Sequence, residues 1–171
     1  MHTLILVSGM PATGKTTFAQ WLSQQLHAPL VCYDHIKEKY LSFPPPHHGN
    51  LPLAFFWFHI EAIMQSGSPL IAEYFFTNQM KETLDPLVEK YGYKTVNIHM
   101  DAPVDLAYQR FCQRNKDQPE GLRPTDISFD QFATATQQNR DFSYGDQVIP
   151  VDTSVFTPGL YPHILERIAH V

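Results

Sequence analysis

Leu4-Ile5-Leu6-Val7-Ser8-Gly9-Met10-Pro11-Ala12-Thr13-Gly14-Lys15-Thr16-Thr17 runs from a short apolar stretch straight into the pattern G-x-x-x-x-G-K-[ST]. The apolar run reads as a buried strand, and the residues after the loop read as the start of a helix. A strand, a glycine-bounded loop and a helix in that order make a phosphate-binding loop. Gly9 and Gly14 let the backbone of Met10, Pro11, Ala12 and Thr13 bend around a polyphosphate so that N–H groups point inward. Lys15 adds a charge toward the β and γ phosphates, and the Thr16 hydroxyl is a ligand for Mg²⁺. Thr17 lies beside it in the first helical turn, whose positive dipole end faces the same anion. ATP is the expected nucleotide and Mg²⁺ its expected companion.

Working outward, the 171 residues suit one domain spanning 1–171, large enough to bury most of its unfolded surface. Apolar residues make up 43% and aromatics 13%, which argues for a globular chain. A net charge of -5 argues against general affinity for polyanions, so nucleic acid is a disfavoured partner. Cys32 and Cys112 lack C-x-x-C spacing and fit reduced cysteines of a cytosolic protein. No apolar run approaches the roughly 20 residues that span a bilayer, and no secretory leader is legible, so a cytoplasmic location and no membrane partner are expected. The oligomeric state stays open, with a homodimer among the options.

Four later runs repeat the character of the first: Pro29 to Tyr33, Pro69 to Glu73, Thr95 to Met100 and Gln147 to Val151. Helical patterns lie between them. Phe18, Leu22 and Leu26 share one face, and Val104, Ala107, Tyr108 and Phe111 fall at i, i+3, i+4, i+7. Alternation of this kind predicts a three-layer α/β/α phosphate-loop fold with a five-stranded parallel sheet and ligands at the carboxyl ends of the strands. Pro103 suits a helix's first turn, Gly92 a helix end, and Ser128-Phe129-Asp130-Gln131 a capping box. Asp85-Pro86 should kink or divide a helix from about Thr77 to Tyr91, or open a second one. Two stretches fall outside the sheet: an acceptor-site insertion at about 43–66, and a polar segment at about 115–126 with the length of a lid.

Asp34 comes directly after the second strand, at the sheet edge that carries the phosphate loop. A carboxylate there can orient an alcohol in line with the γ phosphorus and accept its proton; the plainer role is to cap the helix that begins beside it. His35 can tune that base or touch the acceptor. Lys37, one turn on, can pair with an anionic part of the acceptor or be solvated. Glu73 closes the third strand, where it can hold Mg²⁺, bind the acceptor's hydroxyls or form a structural ion pair. Arg110 and Arg114 share a helix face and, with Arg123, can neutralise charge on a transferring group. Phe55, Phe56, Trp57 and Phe58 are too dense for a two-sided helix, so part of the cluster, Trp57 included, is a candidate for an acceptor pocket or an interface.

These residues resemble those of the small phosphate-loop kinases grouped around the polynucleotide kinase domain, chloramphenicol phosphotransferase and the zeta toxins. The likeness rests on the phosphate loop, on an aspartate after the second strand with a basic residue three further on (Asp34, Lys37), and on Met100-Asp101-Ala102-Pro103 leading into paired arginines. It implies that Asp34 is the general base, that Arg110 and Arg114 contact ATP, and that the adenine lies near Val151-Asp152-Thr153-Ser154. Ala12 stands where many members have glycine, and Glu73 where aspartate is more usual.

Three functions fit these residues, in order of preference. The first is transfer of the γ-phosphoryl group of ATP to a hydroxyl of a small-molecule acceptor. The second is a kinase acting on a nucleic-acid 5′-hydroxyl or a nucleotide sugar. The third is an ATP-binding regulator that hydrolyses slowly. A guanine-specific switch is excluded, because Asn115-Lys116-Asp117-Gln118 fails the Asn-Lys-x-Asp pattern at its last position.

Overall fold

The computed structural model describes residues 2–41, 50–116, 127–157 and 159–169. The chain runs β1 (His2–Gly9), α1 (Lys15–Leu26), β2 (Leu30–Cys32), α2 (Tyr33–Leu41), α3 (Leu51–Gln65), β3 (Leu70–Glu73), α4 (Lys81–Tyr91), β4 (Tyr93–Asp101), α5 (Val104–Lys116), α6 (Phe129–Arg140), β5 (Gln147–Asp152) and α7 (Leu160–Ala169). The five strands pair in parallel in the order β2-β3-β1-β4-β5. The three-layer α/β fold and the five-stranded parallel sheet expected from the alternation are therefore present.

Parallel strands covered on both faces read as continuous apolar runs, and β1 shows why. Side chains alternate across a strand, so Ile5 and Val7 pack with Phe18 and Leu22 of α1 and Ile164 of α7. Leu4 and Leu6 pack on the opposite face with Phe56 and Ile60 of α3 and Leu84 of α4. Both layers are fully shielded, and each buried Leu, Ile or Phe contributes about 1.5–3 kcal/mol. A third cluster joins the phosphate loop to α5 and α6: Met10 packs with Ala107, Phe111 and Phe132, and Val104 and Tyr108 lie against it, which is the α5 face foreseen.

Local signals hold with two adjustments. Gly92 closes α4 at φ 65°, and Ser128 and Gln131 form the reciprocal capping box of α6. Pro103 precedes α5 rather than opening it, and its carbonyl accepts the Ala107 N–H at 2.9 Å. Pro86 neither divides nor opens a helix: α4 runs through it, after a single 3₁₀ turn at Asn78–Met80. The residue that loses its helical donor to Pro86 is Glu82, which is exposed.

The topology places the site. From β1 the chain crosses to β2 at one edge of the sheet, whereas from the neighbouring β4 it proceeds to β5 at the other. Where consecutive connections diverge in this way, a crevice opens at the carboxyl ends of the strands. The closest approach is at Gly9: with φ 125°, its backbone lies against Met100 of β4 so tightly that a Cβ would meet the Met100 carbonyl oxygen at 1.8 Å.

Candidate functional site

The phosphate loop leaves β1 at Gly9 and enters α1 at Gly14, which takes the left-handed conformation (φ 81°) as the helix N-cap. Ala12 is also left-handed, at φ 62°. That conformation costs an alanine about 1–2 kcal/mol, so the loop holds strain at the position where glycine is the easier residue. The Met10 carbonyl accepts both the Thr13 hydroxyl and the Lys15 ammonium at 2.8 Å. Lys15 is thereby folded onto its own loop.

Glu73 gathers what surrounds the lysine. Its Oε2 accepts the Thr16 hydroxyl at 3.3 Å and the Cys32 thiol at 2.9 Å. Burial lowers the affinity of Lys15 for its proton, opposed by Glu73 and then Asp34. Burial likewise raises the Glu73 pKa, opposed by Lys15. The Cys32 thiol is pushed well up, first by burial and then by the Glu73 charge, so it stays protonated and acts as a donor. The Thr16 hydroxyl and the Glu73 carboxylate are hard oxygen donors on one side of the loop, the donor type Mg²⁺ takes, and they fit that ion.

A cleft of about 740 Å³ joins these groups to the others singled out from the sequence. Its floor is the phosphate loop and the first turn of α1, from Pro11 and Ala12 to Thr16 and Thr17. Asp34 and Lys37 of α2 lie on one side with Glu73, and Arg110 and Arg114 of α5 on the other. Asp34 sits in the first turn of α2 and is exposed. Arg110 donates to the Thr153 carbonyl at 2.8 Å and the Ser154 carbonyl at 2.9 Å, and its guanidinium stands 5.0 Å from the centre of the Phe156 ring. Arg114 is exposed and reaches back over Phe111.

Other candidates lie elsewhere. The His35 ring meets Gln20 at 3.3 Å and does not line the cleft. Trp57 packs on Phe56, centroids 5.2 Å apart, against the α3 side of the core, and is likewise absent from the cleft wall. Asp152 accepts the Ser154 N–H, and the Thr153 hydroxyl donates to the Asp101 carbonyl, so both side chains serve their own turn. Arg123 and residues 117–126 of the lid-length segment lie outside the described residues, as do residues 42–49 of the insertion.

Sequence reasoning passed over Tyr33, Tyr74 and Phe75 on the Asp34 side and Phe156 and Tyr161 on the Arg110 side, all of which line the cleft. A signal was available for two of them. Tyr33 directly precedes Asp34 and Tyr74 directly succeeds Glu73, so whatever brings the two carboxylates together also brings the rings.

Known proteins share this architecture. The nearly full-length likeness to a candidate kinase from Chloroflexus aurantiacus j-10-fl has a TM-score of 0.84 at 24% identity, covering 99% of this chain and 97% of that one. Shikimate kinase from Aquifex aeolicus vf5 superposes with a TM-score of 0.63 at 17% identity, covering 98% and 97%. A chain of the Pnkp1/Rnl/Hen1 RNA repair complex gives 0.63 at 18% identity over 84% of this chain and 47% of that one. At such identities the likeness is one of fold, a phosphate-loop fold. No curated protein sequence matches the chain. The AAA_33 family model, described as AAA domain, matches residues 4–139, a stretch that takes in the phosphate loop, Asp34, Glu73 and both α5 arginines. Sheet, loop and matched stretch agree, and the chain belongs to the AAA domain family AAA_33.

Proposed function

We propose that the protein transfers the γ-phosphoryl group of ATP, with Mg²⁺, to a hydroxyl of a small-molecule acceptor. The observation that carries this reading is the shared cleft, which sets an exposed carboxylate, Asp34, opposite a phosphate loop and two arginines. In the step itself the acceptor oxygen bonds to the γ phosphorus as its proton passes to Asp34. The bond from that phosphorus to the bridging oxygen breaks, and ADP leaves. Lys15 must turn from the Met10 carbonyl to the phosphates, and with Arg110 and Arg114 it offsets the charge on the transferring group. Thr16 and Glu73 would hold Mg²⁺, which would supply positive charge against that of the phosphates. A small acceptor is favoured over a nucleic-acid end because, among the described residues, the acceptor side carries one lysine, where a strand-binding groove needs a track of cations.

A phosphorus NMR assay tests this, with Mg-ATP and pooled nucleosides, sugars, amino-alcohol antibiotics and a 5′-hydroxyl oligonucleotide. A new phosphomonoester should form, and Asp34→Asn should cut its rate by about 10²–10⁴-fold while leaving ATP affinity within about twofold. ADP and free phosphate alone, at one rate with or without any pool, would favour the slow-hydrolysing regulator. A product formed only from the oligonucleotide would favour the nucleic-acid reading.

A further inference from the structure

The acceptor side of the cleft is more specific than one carboxylate. The parallel register pairs Cys32 with Glu73, so their next neighbours in the chain, Tyr33 and Tyr74, emerge side by side with ring centroids 4.2 Å apart. Phe56 stands behind both rings, 6.0 Å from Tyr33 and 5.3 Å from Tyr74, and Phe76 meets Tyr74 edge-on at 5.8 Å. Because Phe56 and Phe76 are fully buried, this wall is fixed before any ligand arrives. Phe75 extends it along the cleft. The two phenols hydrogen-bond to each other and burial raises both, Tyr74 up to about 12, so the wall sets a paired hydroxyl edge beside its aromatic faces. That combination holds the apolar face of a hydroxylated carbon frame.

Charge narrows the choice. Asp34 and Glu73 both line this end; Lys15 of the phosphate loop answers Glu73, and Lys37 is an exposed cation on the helix that carries Asp34. Three residues after Asp34 on α2, it lines the cleft, is exposed, and has no hydrogen bond or ion pair among the described residues. Residues at that spacing have Cβ atoms roughly 5–6 Å apart on one helix face. A cationic acceptor would meet Lys37 as a like charge, and a neutral one would leave the ammonium to solvent.

We propose that Tyr33, Tyr74, Phe75 and Lys37 form the acceptor subsite, and that the acceptor is a compact hydroxylated carbon frame bearing an anionic group, carboxylate or phosphate, about one helical turn from the hydroxyl facing Asp34. This rests on the kinase reading above and adds the class of acceptor. Lys37 and the tyrosines are positioning residues: they hold the frame so that its hydroxyl meets Asp34.

Saturation-transfer NMR on the protein with Mg-ADP reads binding without turnover. The probes are D-gluconate and quinate for carboxylates, glucose 6-phosphate for phosphates, and glucose and inositol as uncharged counterparts. At least one anionic probe should show transfer that its uncharged counterparts lack. Which arm responds identifies the anionic group. Lys37→Met should weaken that probe about tenfold, and Tyr74→Ala should abolish its transfer, with ADP affinity unchanged in both. Equal binding of neutral and anionic probes, an anion preference that survives Lys37→Met, or no anionic probe bound at millimolar concentration overturns the proposal. Calorimetry separates this from failure of the kinase reading: a wild-type protein that binds no Mg-ATP defeats that reading, whether or not the anionic probes bind.

Discussion

Two backbone positions in the phosphate loop should respond to substitution with opposite signs. Gly9→Ala places a methyl group 1.8 Å from the Met100 carbonyl oxygen, a contact with main chain that no side-chain rotation can relieve. It must part β1 from β4 beneath the phosphates, and we expect a loss of at least about 3 kcal/mol in urea unfolding together with weaker nucleotide binding. Ala12→Gly instead releases the strain at φ 62°, less about 0.5–1 kcal/mol for the glycine's added freedom when unfolded, so its midpoint should equal or exceed the parent's. A midpoint clearly lower for Ala12→Gly would mean that the alanine is not strained. The pattern of this loop was legible because its defining residues follow one another at fixed short spacing. The wall opposite was not, since Tyr33 and Tyr74 are 41 positions apart and meet only through the register of β2 on β3.

Among elements, the seam between β4 and β5 carries a pH-dependent tie. Asp146, just before β5, accepts the Thr95 N–H at 2.7 Å and its hydroxyl at 3.1 Å, while its own N–H donates to the Thr95 carbonyl at 3.0 Å. The Thr95 backbone and side-chain hydrogen bonds hold its carboxyl below the ordinary value. For a carboxyl lowered by folding, the unfolded chain binds more protons between the two pKa values, so the stabilisation is present above the unfolded pKa and is lost as pH falls toward the folded one. The slope of stability between about pH 5 and pH 3 should therefore be shallower in Asp146→Asn, measured as urea midpoint against pH; an identical slope in both proteins would assign no such role to the tie. Elements of this kind were largely legible in the chain. Strands buried on both faces advertise themselves by unbroken apolar runs, and the capping box and Gly92 mark helix ends by residue type alone. Strand order was not, because every one of these strands looks equally buried from its sequence, and the clasp of Arg110 on the Thr153 and Ser154 carbonyls joins positions 43 and 44 residues apart.

At the scale of the whole molecule, ligand binding must appear as stability. Lys15 and Glu73 are buried together, and the lysine is folded back on the Met10 carbonyl, within reach of the loop where a polyphosphate would sit. Mg-ATP at about one hundred times its dissociation constant should add about 2.7 kcal/mol, raising the melting temperature by roughly 5–11 °C for a chain of this length. Lys15→Ala should lose that rise while melting near the parent without nucleotide; a full rise in the variant would remove the lysine from phosphate binding. The chain also holds its own optical gauge of the same event. Of its two tryptophans, Trp21 lies 5.4 Å from Tyr161 and 6.0 Å from Phe18, one ring behind the nucleotide end of the cleft, whereas Trp57 is packed on the far layer against Phe56. Replacing Trp57 with phenylalanine leaves a single emitter whose colour and brightness track Tyr161, so occupancy of the cleft becomes visible to a fluorimeter with no label attached.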